Sequence, residues 1–223
     1  MNTESQLKTF VANVTPGHVP GVESRTRYLA TPLVGAPLTA VEVRGSWDTD
    51  VPMLSDATEG RLFAIVEGGI KVLAGGTYYR VKAGQALYVP SGISCEAIVE
   101  TERFQALVAC FGGTRPGKTA VPSLTGMELP AVGARVFPKL TPEQTQGAFA
   151  LTEAIVESGR YVPLTTSRDG YAAIYVTDGE LEICQHASTQ RISAGAFVYI
   201  PGNEKVQVRA TEKCARVLII HAS

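Results

Sequence analysis

Residues 83–92 read Ala83-Gly84-Gln85-Ala86-Leu87-Tyr88-Val89-Pro90-Ser91-Gly92, and residues 194–203 read Ala194-Gly195-Ala196-Phe197-Val198-Tyr199-Ile200-Pro201-Gly202-Asn203. Each opens on an Ala-Gly turn, runs through a few apolar residues and closes on a proline, the punctuation of a short β-strand. The two stretches lie 111 positions apart, and the same offset sets Val51-Pro52 on Val162-Pro163, Gly68 on Gly179 and Leu107 on Leu218 without a gap. The coinciding residues are turn glycines, turn prolines and strand hydrophobics, which specify a backbone rather than a reaction. One β domain is therefore written twice.

The neighbouring segments agree with this. Leu62-Phe63-Ala64-Ile65-Val66, Thr77-Tyr78-Tyr79-Arg80-Val81 and Arg216-Val217-Leu218-Ile219-Ile220 are rich in β-branched and aromatic residues, and Gly68-Gly69, Gly75-Gly76 and Ser91-Gly92 punctuate the first half. Helical signals are confined to short pieces, the clearest being Thr141-Pro142-Glu143-Gln144, with Thr141 as N-cap and Pro142 at the first helical position. Apolar alternation stops in the Gly/Pro-rich stretch 112–126. The expected division is a first barrel with a leading arm over 1–118 and a second over 119–223.

Composition excludes several classes of function. The chain has 223 residues, 45% hydrophobic and 18% charged, as in an ordinary globular protein. Twenty basic against twenty-one acidic side chains leave no electrostatic footprint for nucleic acid or an anionic membrane, and neither partner is expected. No apolar run is long enough to span a bilayer and the polar start is unlike a signal peptide, so a cytoplasmic location is expected. Cys95, Cys110, Cys184 and Cys214 are far apart, with no CxxC pair, and read as reduced thiols. Only three histidines are present, His18, His186 and His221, which makes any site needing several imidazoles hard to assemble.

In each half a strand ends in a turn glycine (Ile65-Val66-Glu67-Gly68; Val176-Thr177-Asp178-Gly179), a hairpin follows, and then an Ala-Gly turn, a strand and a proline. This resembles the cupin superfamily of small jelly-roll barrels, and the tandem arrangement resembles a bicupin. The frame of the second cupin motif is matched by Gly84, Pro90 and Gly92, and again by Gly195 and Pro201, with Asn203 where the last glycine would stand. The resemblance implies an all-β fold of two tandem jelly-roll barrels. It also implies where a metal would sit, through two histidines and a glutamate of the first motif and one histidine of the second. Those positions carry other residues. Cys95 and Val206 replace the second-motif histidines, and Arg61 and Ala172 the glutamates. The first-motif histidines become Ser55 and Ala57 (or Leu54 and Asp56) in one half, and Thr166 and Arg168 (or Thr165 and Ser167) in the other. A first-row metal needs three or four convergent N, O or S donors at about 2.0–2.3 Å. The resemblance therefore implies a barrel pair without a metal, and no cofactor is expected.

Arg61 is the most informative position. A guanidinium pointing into an apolar barrel must be paired, exposed or waiting for an anion. It either pairs with Asp56 or Glu59 or leans into solvent, or it recognises a carboxylate or phosphate on a ligand. Cys95 is either a small buried hydrophobe or, if Arg61 lies close enough to lower its pKa, a source of thiolate. Arg61, Cys95, Ser55 and Asp56 form the candidate ligand site. Tyr79 and Cys95 are the candidates for any proton transfer, and one of Tyr78 and Tyr79 must face away from the cavity. Tyr88 and Tyr199 occupy equivalent places and read as packing residues; His186 and His221 read as structural or exposed imidazoles. Trp47 is either a barrel plug or an interface anchor. Three functions compete: a metal-free bicupin binding a small anionic metabolite in the first barrel, a metal-independent isomerase, epimerase or lyase acting on a small sugar or organic acid, and a structural protein without a ligand. A homodimer is compatible with each.

Overall fold

A computed structural model of the protein describes residues 8–10, 25–30, 37–51, 58–117, 119–124, 127–186 and 188–222. Leu54, Ser55, Asp56, Ala57 and His18 lie outside the described residues. The fold is all-β, with no helix among the described residues. The first strands are β1 (Lys8–Phe10), β2 (Arg25–Ala30), β3 (Leu38–Gly45), β4 (Gly60–Glu67), β5 (Gly69–Ala74), β6 (Thr77–Lys82), β7 (Ala86–Val89), β8 (Cys95–Val99), β9 (Phe104–Phe111) and β10 (Val121–Pro122). They are followed by β11 (Leu129–Ala131), β12 (Ala134–Leu140), β13 (Ala150–Glu157), β14 (Val162–Thr165), β15 (Tyr171–Asp178), β16 (Glu180–Gln185), β17 (Ser188–Ser193), β18 (Phe197–Ile200), β19 (Lys205–Ala210) and β20 (Cys214–Ala222).

The chain divides into two compact units, one of Ala12–Thr125 with Glu143–Ala148, the other of Met1–Val11, Gly126–Pro142 and Phe149–Ser223. In the first, a six-stranded sheet ordered β10-β7-β4-β9-β3-β2 faces a three-stranded sheet ordered β6-β5-β8. The two close over an apolar interior that includes Val41, Phe63, Ile65, Val72, Leu87, Ala97 and Val108. In the second, sheets ordered β1-β18-β15-β20-β13-β12-β11 and β14-β19-β16-β17 enclose Ile174, Val176, Leu181, Ile183, Val198, Val206 and Val217. Each such side chain taken from water contributes about 1.5–3 kcal/mol, so these interiors carry the fold.

The duplication is exact in the backbone's left-handed positions. Gly68 and Gly179 have φ of 77° and 79°, and Gly84 and Gly195 have 78° and 85°. Three further pairs mix residue types at the same offset: Asp48 with Gly159 (60° and 78°), Gly75 with His186 (54° and 51°) and Gly92 with Asn203 (83° and 63°). Asn, Asp and His are the non-glycine residues that best tolerate this region, so the turns persist where the glycines do not. The offset holds upstream of β4 as well: Thr39 of β3 pairs with Cys110 as Ala150 of β13 pairs with His221, and both members of the second pair lie 111 positions further on.

Two expectations are corrected. Residues 141–147 form turns, not a helix: Gln146 N–H reaches Glu143 O and Ala148 N–H reaches Thr145 O, while Gln146 and Gly147 adopt φ of 58° and 84°, which ends any helical run. The leading arm does not stay with the first barrel. Lys8, Thr9 and Phe10 pair with Tyr199, Val198 and Phe197, covering the β18 edge of the second unit. The matching edge of the first unit, β7, is covered by β10, whose Val121 and Pro122 pair with Tyr88 and Leu87. Both pairings blunt a sheet edge that would otherwise expose a row of backbone donors and acceptors.

Candidate functional site

Side chains alternate along β4, and since Phe63 and Ile65 belong to the barrel interior, Arg61 points the same way. Strand register sets Arg61 opposite Val89 on one side and Cys110 on the other, with Cys110 opposite Thr39. Thr39, Cys110, Arg61 and Val89 thus form one row across the concave face, next to the apolar row Val41, Val108, Phe63 and Leu87. Arg61 is 3% exposed. Cys95, at the start of β8 on the facing sheet, is also buried. The Arg61 Nη1 donates to Cys95 Sγ at 3.1 Å and to the Ile93 carbonyl at 3.4 Å. Two residues singled out from sequences 34 positions apart therefore meet inside one barrel.

Two effects compete at the Cys95 thiol. Burial penalises the thiolate and raises the pKa; the nearby Arg61 guanidinium, by charge and hydrogen bond, lowers it. Burial is the larger effect and the pKa ends above its ordinary value, so Cys95 is a neutral thiol near pH 7. The thiolate chemistry that Arg61 would promote is not delivered by this geometry. What the site presents is a permanent cation and a polarisable neutral S–H beside an apolar interior.

The remaining candidates are distributed as follows. Ser55 and Asp56 lie outside the described residues, and Glu59 is half-buried just before β4. Tyr79 packs against the interior cluster, whereas Tyr78 is 63% exposed on the outer face, so Tyr79 is the inward tyrosine. Tyr88 is fully buried, and Tyr199 packs 5.7 Å from the Tyr171 ring. Trp47 is 57% exposed, which removes the barrel-plug reading. His186 occupies the left-handed turn between β16 and β17.

The second barrel differs in kind. Ala172 and Val206 are part of its apolar core, and Arg168 is exposed. Thr166 donates to the Pro201 carbonyl at 2.7 Å and accepts from the Glu204 N–H at 3.0 Å, while the Gln185 amide donates to Glu204 Oε2 at 2.7 Å. These bonds tie the loop before β19 to its neighbours. The register places Cys110 beside Arg61 and His221 beside Ala172, adjacencies that reading the two residues as a reduced thiol and a structural or exposed imidazole does not give. The signal was present, since the two residues are themselves 111 positions apart and alternate with interior hydrophobics.

No family model and no curated protein matches the chain by sequence. Solved structures do match. A variant of oxalate decarboxylase from Bacillus subtilis superposes with a TM-score of 0.76 at 15% identity, covering 99% of this chain and 78% of that one. The protein Ylba from E. coli gives 0.72 at 14% identity, covering 94% and 87%. A putative glyoxylate-induced protein from Pseudomonas aeruginosa gives 0.72 at 13%, covering 99% and 92%. Identity at this level carries the fold and leaves the chemistry to the residues of this chain. No helix among the described residues is long and apolar enough to cross a membrane. The chain shares the fold of these structures, two tandem jelly-roll β-barrels.

Proposed function

We propose that the protein binds a small organic anion in its first barrel without a metal, through Arg61. The observation that carries this reading is the burial of the Arg61 guanidinium on the concave face, 3.1 Å from Cys95 Sγ and next to the apolar interior of the barrel. A guanidinium in that setting binds a carboxylate more strongly than one in water, because the planar fork makes two parallel bonds and the surroundings screen them poorly.

A divalent cation does not suit these residues. Arg61 stands at the place where the cupin resemblance puts an acidic ligand, and its fixed positive charge repels a metal. Cys95, at the histidine place, keeps its proton. The second barrel offers Ala172 and Val206 at the same places and is read as a structural partner. Catalysis is not favoured, since a protonated thiol is a poor nucleophile and a weak acid.

The test uses calorimetry and thermal shift with succinate and its neutral analogue succinamide, followed by gluconate and oxalate. At 100 times its dissociation constant, a bound acid stabilises the barrel by about 2.7 kcal/mol. An acid that raises Tm while its amide does not, with affinity falling at least about tenfold in Arg61→Gln, is the expected result. A ligand response that survives Arg61→Gln, or stoichiometric metal in elemental analysis of the purified protein, overturns the proposal.

A further inference from the structure

The outer face of the β6-β5-β8 sheet carries a recess of about 630 Å³, separate from the barrel interior and within the usual size of a small-molecule site. Its walls are Asp50, Lys71, Leu73, Tyr78, Glu96 and Ile98, together with parts of Val51 and Ala97. Register orders them into two rows. Tyr78, Leu73 and Glu96 lie side by side in one, and Lys71, Ile98 and Asp50 in the other. Both rows run the same way: acid on the β8 side, aliphatic residues in the middle, base or aromatic ring on the other side. Among the described residues, Asp50, Lys71 and Glu96 enter no ion pair. Lys71 rests its ammonium 4.2 Å above the Tyr78 ring instead, a weak cation–π contact that is easily exchanged for a carboxylate.

We propose that this recess binds a short peptide or peptide-like zwitterion, its ammonium between Asp50 and Glu96, its carboxylate on Lys71 and an apolar side chain over Leu73 and Ile98. The match is one of charge order and length. Asp50 and Lys71 are two strand spacings apart, about 10 Å between backbones. An extended tripeptide, at about 3.3–3.6 Å per residue, spans the same distance between its terminal charges. An anion alone would meet two carboxylates, and a cation alone would meet Lys71; a dipolar ligand with an apolar middle satisfies every group that faces the recess.

The experiment uses the full chain with isotope-labelled Leu and Ile methyl groups, titrated with the tripeptide Ala-Leu-Ala and with the same peptide acetylated and amidated. The expected result is a saturable shift of the Leu73 and Ile98 methyl signals with the free peptide. Affinity should fall at least about tenfold for the capped peptide, for Glu96→Gln and for Lys71→Met. Glu96 is exposed and Lys71 only half-buried, so the two substitutions leave the fold intact. Equal affinity for the capped peptide, shifts confined to interior methyls such as Ile65 and Leu87, or silence up to about 10 mM peptide overturns the proposal. So does a response of the Leu73 and Ile98 methyls to methyl glucoside or spermidine with none to the peptide. Succinate binding through Arg61 is read independently, so either proposal can fail alone.

Discussion

Replacing Arg61 by Met tests the electrostatic balance at Cys95, because methionine nearly fills the volume while removing the charge and its hydrogen bond to the thiol. At 3.1 Å and an effective dielectric of about 20, a guanidinium attracts a thiolate by about 5 kcal/mol, and opposite charges this close usually move a pKa by about 1–3 units. The variant should therefore raise the Cys95 pKa by about that much beyond the already elevated wild-type value. The thiolate fraction at neutral pH then falls by about 10- to 1000-fold. Because a more basic thiolate is also more nucleophilic, with a Brønsted slope of about 0.4–0.5, attack on a small neutral disulfide should slow by only about 3- to 50-fold. The assay follows modification of each cysteine by mass spectrometry from pH 6 to 11, with exposed Cys214 as internal reference. The position of the pH profile, not the absolute rate, reports the pKa, so a change in access does not mimic the effect. A wild-type Cys95 that titrates below the ordinary thiol value would refute the reasoning, since it would mean that Arg61 outweighs burial. So would a profile unmoved by Arg61→Met.

The turns make a second, independent set of expectations. Gly68 and Gly84 have nearly the same φ, yet a Cβ on Gly68 would lie 2.1 Å from the Arg103 carbonyl oxygen, while one on Gly84 meets nothing within 4 Å. Gly84→Ala should cost about 1–2 kcal/mol of left-handed strain alone, and Gly68→Ala clearly more; equal losses in urea denaturation would contradict the geometry. Asn203→Gly should be tolerated within a few tenths of a kcal/mol, and Asn203→Val should cost more than 1 kcal/mol, measured the same way. Burial raises the pKa values of Tyr171 and Tyr199 above that of free tyrosine. The unfolded chain then releases these protons first, so the stability they confer is full below about pH 10 and is lost as the pH rises further. Tyr171→Phe should flatten that alkaline decline in a pH series of denaturation curves.

What could be read from the sequence was the part that depends on backbone conformation. Gly68, Gly84 and their counterparts are constrained by φ, and such positions keep their residue type wherever the turn recurs. Asn203 and His186 show the limit of that rule, since other residues that tolerate the left-handed region can stand in. Arg61 and Cys95 were singled out because they stand where the cupin resemblance puts metal ligands. Their meeting at 3.1 Å follows from the facing of two sheets, which local pattern does not state. The same holds for Cys110, which is legible as an apolar-like thiol and becomes a neighbour of Arg61 only through the β4–β9 register. The turn at 141–147 was misread because a good N-cap and a proline were present, while Gln146 and Gly147, which break the helix, come only a few residues later. Lys71, Glu96 and Asp50 look like any solvated charges until three strands align them.

The exchange of edge strands means that neither half owns all of its parts. The segment leading into the second barrel, β10, finishes the first, and the segment leading into the first, β1, finishes the second. A single cut just ahead of β10 sends both strands away with the wrong partner, so halves divided there should recover their native state only when mixed.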